Sequence, residues 1–514
     1  MNILLLSMPD AFEHMPPVAI RMPNGALASL AGNVDPHHHV AIADLILARG
    51  AVRETIERLV HDHAPDVVGL SVMTFQRTTA RQVARLVRTL RPSTRVVVGG
   101  YDPSLATEPY EASPDVEFIV RGEGEHTFAE LVRAIEAGDR SLTHIAGLSF
   151  RTPAGFVHNA ARPVVALATE SLRLPNRRAR VLQGYTLLGR PVDVVETSRG
   201  CTFDCSFCSI IEMRGRNFHP YPIDRVLADI ADARANGARA IFLVDDNITL
   251  DVRRFEALCR AIVDAGFNDA EYLVQAMTAP LAEHGETLAP LMRRAGFRYV
   301  FLGIENVLDD DLVFLRARAK NAKREHGRTV GNASIAAIQH LHSNGMYVVG
   351  GLIVGNPDDT RESIDANLTF ARRYIDWPYI QHPTPYPRTP MTAEFRRRNL
   401  IVDEDVSHYD GTTAVVRTAH VAADEIEYMR WRAERWIKLR HFPTACLHNP
   451  SFVARHGLQM LAHTFAGTSW RSLLGLEDER RAYARFRAIR RRERAACLPL
   501  GADGSQALTA GQAA

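Results

Sequence analysis

Through the first ~140 residues, short β-branched runs alternate with amphipathic stretches, the periods of strand and helix in turn. The predicted strands are Ile3–Ser7, His39–Ala43, Val67–Ser71, Arg95–Val98 and Phe118–Arg121. Between the third and fourth, the stretch 78–90 sets Val83, Leu86, Val87 and Leu90 on one helical face. This alternation predicts a parallel sheet with crossover helices, so residues 1–140 read as a doubly wound, Rossmann-like α/β domain. Two turns, Gly99-Gly100-Tyr101-Asp102 and Gly122-Glu123-Gly124-Glu125, follow predicted strands. They fall on the carboxyl edge of the sheet, where open α/β folds bind ligands.

Residues 141–190 read as a linker with hairpin character (147–150, then 155–157) and a basic patch at 173–180. A second alternating series follows. Its strands are predicted at Val192–Glu196, Ala240–Val244, Tyr272–Gln275, Tyr299–Ile304, Tyr347–Val354 and Tyr379–Gln381, with helical patterns such as 223–236 and 253–265 between them. These βα units over 191–392 predict a partial (β/α)6 barrel whose site lies at the strand carboxyl ends. Residues 393–500 are helical in pattern and rich in Arg, and 501–514 read as a disordered tail.

Composition narrows the function classes. A net charge of +2 gives no global basic field for nucleic acid. The Arg-rich run 480–494 follows Glu477, Asp478 and Glu479, a mixed pattern that reads as a solvated helix. No apolar run reaches the ~20 residues of a membrane span, and the start, Met1 to Ser7, lacks a signal peptide's basic region, so the chain reads as cytoplasmic. The run His37-His38-His39 reads as a polar turn, since neighbours on an extended chain point to opposite faces.

The cysteines carry the chemistry. None precedes Cys201; Cys201, Cys205 and Cys208 share one short loop, while Cys259, Cys446 and Cys497 are scattered. The loop follows the first predicted barrel strand, on the edge where barrels place their sites. Three thiolates can hold a [4Fe–4S] cluster and leave one iron open. Structural zinc normally takes four ligands in two spaced pairs, and the nearest further candidate, His219, lies beyond the spacing of a pair.

The Cys-x3-Cys-x-aromatic-Cys spacing, with Phe207 as the aromatic, resembles the signature of radical S-adenosylmethionine (SAM) enzymes. Asp245-Asp246-Asn247 ends the second barrel strand, where the family often has Gly-Gly-Glu to hold the methionyl amine. Glu305 ends the fourth, where the family places an acid on the SAM ribose, and 351–355 resembles the fifth-strand motif beside the adenine. Ahead of the barrel, Val67–Ser71, 96–100 and 120–125 resemble the cobalamin-binding module fused to many of these enzymes. Small residues at Ser71, Gly99 and Gly100, with Gly122 and Glu123 on the neighbouring turn, would let a corrin and its nucleotide tail approach the backbone. The Asp-x-His-x-x-Gly motif of many cobalamin modules is absent from the loop 10–15, so the resemblance implies cobalamin without a protein histidine on cobalt. Thr384–Pro390 is similar to a Thr-Pro-Tyr-Pro-Gly-Thr-Pro segment of the subfamily, with Arg388 replacing the glycine; it either contacts a substrate anion or fills a turn that needs no positive φ.

The resemblance implies a [4Fe–4S] cluster, SAM and cobalamin as cofactors, a small-molecule or natural-product substrate, and an electron donor such as flavodoxin or ferredoxin. It implies reductive SAM cleavage, hydrogen abstraction from an unactivated carbon and, in most cobalamin-dependent relatives, C-methylation. Radical cyclisation or rearrangement without methyl transfer uses the same domains. A cobalamin or redox sensor is the rival from another class.

Overall fold

The computed structural model describes residues 1–10, 18–168, 172–325 and 328–501. Its first sheet is built from β1 (Asn2–Ser7), β2 (His39–Asp44), β3 (Val67–Ser71), β4 (Arg95–Gly99), β5 (Phe118–Val120), β6 (Leu148–Thr152) and β7 (Gly155–His158) in the order β2-β1-β3-β4-β5-β6-β7. The first five run parallel. Their residues are buried on both faces, which explains why they read as continuous apolar runs. The chain reverses direction across the sheet between β1 and β3, the switch point where such folds open a crevice. The hairpin expected within the linker is β6–β7, and it extends this sheet antiparallel beyond β5.

The second sheet carries β8 (Arg190–Val195), β9 (Ala240–Leu243), β10 (Glu271–Met277), β11 (Phe297–Glu305), β12 (Tyr347–Ile353) and β13 (Trp377–Gln381), all parallel and in chain order. This is the open half-barrel expected. Alternation divides each strand: Val192, Val194, Phe242, Leu273 and Tyr299 form one apolar face, while Val195, Ile241, Val274 and Val300 pack under the helices. The helices that matter below are α1 (Gly25–Asn33), α2 (Glu125–Glu136), α3 (Ser209–Arg214), α4 (Ala423–Arg440), α5 (Phe442–His448), α6 (Pro450–Thr464) and α7 (Glu479–Ala495).

The two sheets are stitched together. Ile20–Arg21, from the first domain's own chain, pairs with Thr186–Leu187, which pairs in turn with β8. Arg180 bridges to Ile42 on the outer strand β2. At the far end of the chain, Leu500 N–H donates to Gln82 on the first domain at 3.0 Å. The basic patch 173–180 is partly interior. Arg177, with 1% of its side chain exposed, lies 3.1 Å from Asp193, 2.6 Å from Asp229 and 2.8 Å from Asp232, and Arg180 forks onto Asp193. The α7 arginines are largely ion-paired, Arg485 with Glu477, Arg487 with Glu427 and Arg494 with Asp410. Residues 502–514, expected as a tail, lie outside the described residues.

Removing one member of a buried charge network strands the others without a partner. Arg177→Met leaves Asp193 and Asp229 buried, and we expect it to destabilise the barrel by about 3–5 kcal/mol. Thermal unfolding followed by circular dichroism checks this, with exposed Arg53→Met expected near wild type.

Candidate active site: a cysteine loop facing a glycine-lined sheet edge

From the end of β8 the chain runs through Glu196 and Thr197 into the short pair Ser198–Arg199 with His219–Pro220, and then into the cysteine loop. Two neighbouring acids at the end of β9 fix this approach differently. Asp245, buried to 1% exposure, accepts from Thr197 N–H at 2.7 Å and from the hydroxyls of Thr197 and Ser198 at 2.5 Å each. Burial lifts its carboxyl to about 6 against those hydrogen bonds. It is thus engaged in holding the loop, a use the sequence did not reveal when it offered the Asp245–Asp246 pair for the SAM amine without choosing between them. Asp246 accepts from Gly200 N–H at 2.8 Å through Oδ2 and lies 3.6 Å from Arg214. Gly200 has φ +89, and a Cβ there would sit 2.3 Å from the Asn217 side chain and 2.5 Å from its carbonyl, so only glycine fits.

The loop is pinned in the middle as well. Ser206 donates its N–H to Leu315 O and its hydroxyl to Phe314 O, and its carbonyl accepts from Met391 N–H. Phe207 and Cys205 pack with Leu312, Leu315, Met391 and Phe395. Cys205 is buried and Cys201 and Cys208 are half-buried, all as free thiols. Burial pushes Cys205 up to about 12 and Cys208 to about 11, so metal binding would displace their protons. Three free thiols on one loop are the donor set of an iron–sulfur cube with one iron open, whereas structural zinc takes four ligands.

Glu305 ends β11 in a bulge: β12 pairs with Gly303 and then with Glu305, and Glu305 takes φ +59. This bulge turns the carboxylate back over Gly303, where it receives Lys320 Nζ at 2.7 Å. The Lys320 ammonium also lies 5.9 Å from the Phe207 ring centre, and its charge bears on Cys205 and Cys208. Lys320 escaped the sequence reading, since no motif surrounds it. Arg388 has φ +66, so the turn does use the left-handed conformation that glycine favours.

Facing the loop is the carboxyl edge of the first sheet. A cavity of about 360 Å³ opens there, floored by Leu5, Val97 and Phe128, rimmed by Ser71, Gly99, Gly100, Gly122 and Gly124, and closed from the barrel side by Glu196, Arg199 and Arg214. Its glycines differ in use. Gly100, at φ +103, would bring a Cβ to 2.9 Å from Val72 O, so its turn demands glycine on its own account; Gly122, at φ +76, faces open space. Ser71 accepts from Asn24, the residue that caps α1. A strip of backbone without Cβ atoms over an apolar floor fits a large flat cofactor with a tail that enters the sheet. Residues 11–17, which hold the loop lacking the histidine motif, lie outside the described residues.

Arg199 ties this edge to the cysteine loop. Its guanidinium lies 2.7 Å from Glu196, 2.6 Å from Glu125 and 3.7 Å from Glu123. Burial works to raise the Glu125 carboxyl, but the Arg199 charge and hydrogen bonds from Arg199 and Ser29 hold it down to about 2. Arg214, at the end of α3, bridges Glu123 and Asp246 at 3.7 and 3.6 Å. The His37–His38 pair converges on Glu136, because residues 36–38 turn before β2 begins; this lies at the amino end of the sheet, opposite the cavity.

Two family models match the chain, the B12 binding domain over residues 13–132 and the radical SAM superfamily over 195–371. It belongs to the radical SAM enzymes that carry a cobalamin-binding domain. An uncharacterised methyltransferase of Pyrococcus horikoshii is 28% identical over 437 residues, 84% of this chain and 91% of the relative. An anaerobic magnesium-protoporphyrin IX monomethyl ester cyclase of Cereibacter sphaeroides is 24% identical over 80% of the chain and 65% of the relative. The cobalamin-dependent SAM radical enzyme OxsB, solved with aqua-cobalamin and SAM bound, shares the fold at TM-score 0.64 and 16% identity, over 99% of this chain and 80% of that one. The glycine-lined edge falls within the residues matched to the B12 binding domain and the cysteine loop within those matched to the radical SAM superfamily, and Arg199 and Arg214 join the two.

Two outcomes follow from this geometry. Gly200→Ala drives a methyl group into Asn217 and should abolish iron retention after anaerobic reconstitution, as should Cys201→Ala, Cys205→Ala and Cys208→Ala, while Cys259→Ala keeps its iron. Gly124→Leu enters the cavity beside Leu30 and should lower cobalamin uptake at least tenfold, with iron content unchanged; absorbance of the reconstituted protein reads both.

Proposed function

We propose that this enzyme C-methylates an unactivated carbon of a small-molecule substrate, with cobalamin held on the first domain and SAM at the cysteine loop. The observation that carries the reading is the glycine-lined cavity of the first domain, closed by Glu196, Arg199 and Arg214 from the segments that flank the cysteine loop. When bound, the cluster supplies the electron that cleaves SAM, and cobalamin supplies a methyl group at the same mouth.

The chain's own residues position and shield. Asp245 and Asp246 hold Thr197 to Gly200 so that the cysteines start from a fixed point. Asp246, less fully engaged than Asp245, offers negative charge for the SAM amine. Glu305, turned by its bulge towards Lys320 and the loop, offers acceptors for ribose hydroxyls, contacts each worth roughly 1.5–3 kcal/mol. Lys320, paired with Glu305 at 2.7 Å, fixes the direction of that carboxylate. The buried arginine–carboxylate lattice excludes water from the seam between the domains. An electron donor of the flavodoxin or ferredoxin class completes the system.

The cyclase relative supports a second outcome, ring closure without methyl transfer, on the same scaffold. The two consume SAM differently. Methylation predicts S-adenosylhomocysteine beside 5′-deoxyadenosine and a product carrying the label from methyl-deuterated SAM. Reconstituted enzyme fed with cell extract and analysed by mass spectrometry decides between them: unlabelled product with 5′-deoxyadenosine alone rejects methyl transfer.

A further inference from the structure

We propose that the outer face of the C-terminal helices docks on an anionic lipid surface. The inner face of this segment is fully used. Asn449, between α5 and α6, accepts from Tyr299 at 2.8 Å and from Arg190 at 2.9 Å, Phe452 is buried, and the His448 ring meets Tyr347 edge-on. All of these partners lie towards the amino ends of the barrel strands, away from the cysteine loop.

The outer face is left apolar. Leu447 is 83% exposed, Leu458 85% and Trp470 66%, and Trp436, Leu474 and Leu476 are exposed beside them in sequence. Isolated exposed leucines are ordinary; this many large apolar side chains within one short segment mark an interaction surface. Charge then identifies the occupant. The chain holds 59 acidic residues among 514, yet from Arg435 to Leu476 it has no Asp or Glu. Arg440, Arg455 and Arg471 are exposed there and form no ion pair among the described residues. The Arg471 guanidinium lies 5.9 Å from the neighbouring Trp470 ring. A segment of tryptophan and leucine interleaved with arginines outside ion pairs, whose bordering acid Glu477 is taken up by Arg485, complements a continuous negative plane with an apolar interior. No helix among the described residues is long and apolar enough to cross a membrane, so the contact is interfacial. Docking this way turns the amino ends of the strands to the lipid and leaves the cysteine edge open to a reductant.

Co-sedimentation of the full-length protein with vesicles tests the proposal. Vesicles of phosphatidylglycerol mixed with phosphatidylcholine should bind it, and phosphatidylcholine alone should bind it at least tenfold less. Trp470→Ser with Leu474→Ser, and separately Arg440→Glu with Arg455→Glu, should each cut binding about tenfold without changing iron content. Failure to bind anionic vesicles, or binding that neither pair of substitutions weakens, overturns the proposal. So does concentration-dependent self-association in lipid-free solution that Trp470→Ser with Leu474→Ser abolishes, because it assigns the face to a second copy.

Discussion

A guanidinium withdrawn from water is tolerated only where carboxylates surround it, and Arg199 meets that condition with groups from two domains. Glu196 belongs to the barrel, while Glu123 and Glu125 belong to the turn after β5. Neither side has a satisfactory ion balance without the other. The clamp stands two residues before Cys201, so the same interaction that joins the domains also sets where the cysteine loop begins. Arg214 repeats the arrangement on the far side of the loop, between Glu123 and Asp246. The loop is therefore held at both ends by charges shared with the first domain.

The loop itself is specified by backbone satisfaction. Asp245 and Asp246 between them accept the N–H groups of Thr197 and Gly200, and Ser206 finds its partners on the segments after β11 and β13. A loop with buried amides must find acceptors, and here these come from several strands. Its conformation thus requires the whole half-barrel to have formed. The bulge at Glu305 has the same logic: one extra residue on β11 turns an acid from the sheet face towards the loop.

The sheet architecture was legible because strand alternation and glycine turns leave local signals. All eleven parallel strands expected in the two domains are present within a few residues of their anticipated ends, and the cysteine spacing pointed to its own chemistry. What was not legible depends on partners distant in sequence. The hairpin at 148–158 could be read as a hairpin, but nothing local says that Phe118 pairs with Phe150. Arg177 looks like surface charge until Asp193 and Asp229 surround it. Asp245 and Asp246 are equivalent on paper, and only the fold shows that one is saturated by the loop it carries. Lys320 gains its position from Glu305 and Phe207, neither of which it resembles in any motif. Arg388 closes one of the two readings the sequence left open: its turn does adopt the left-handed conformation, so it is not one that needs no positive φ.

The strand Ile20–Arg21 has a consequence for how such enzymes can be recombined. It leaves the first domain and completes the edge of the second sheet, while Leu500, at the other end of the chain, seats on the helix that carries Gln82. A cut at the apparent boundary near residue 160 therefore removes an edge strand from one module and a terminal anchor from the other. Modular as the sequence looks, the two halves are not interchangeable cassettes. A functional chimera must carry residues 18–22 with the recipient barrel and residues 497–501 with the donor sheet, so exchange between relatives is constrained to breakpoints that respect both crossings.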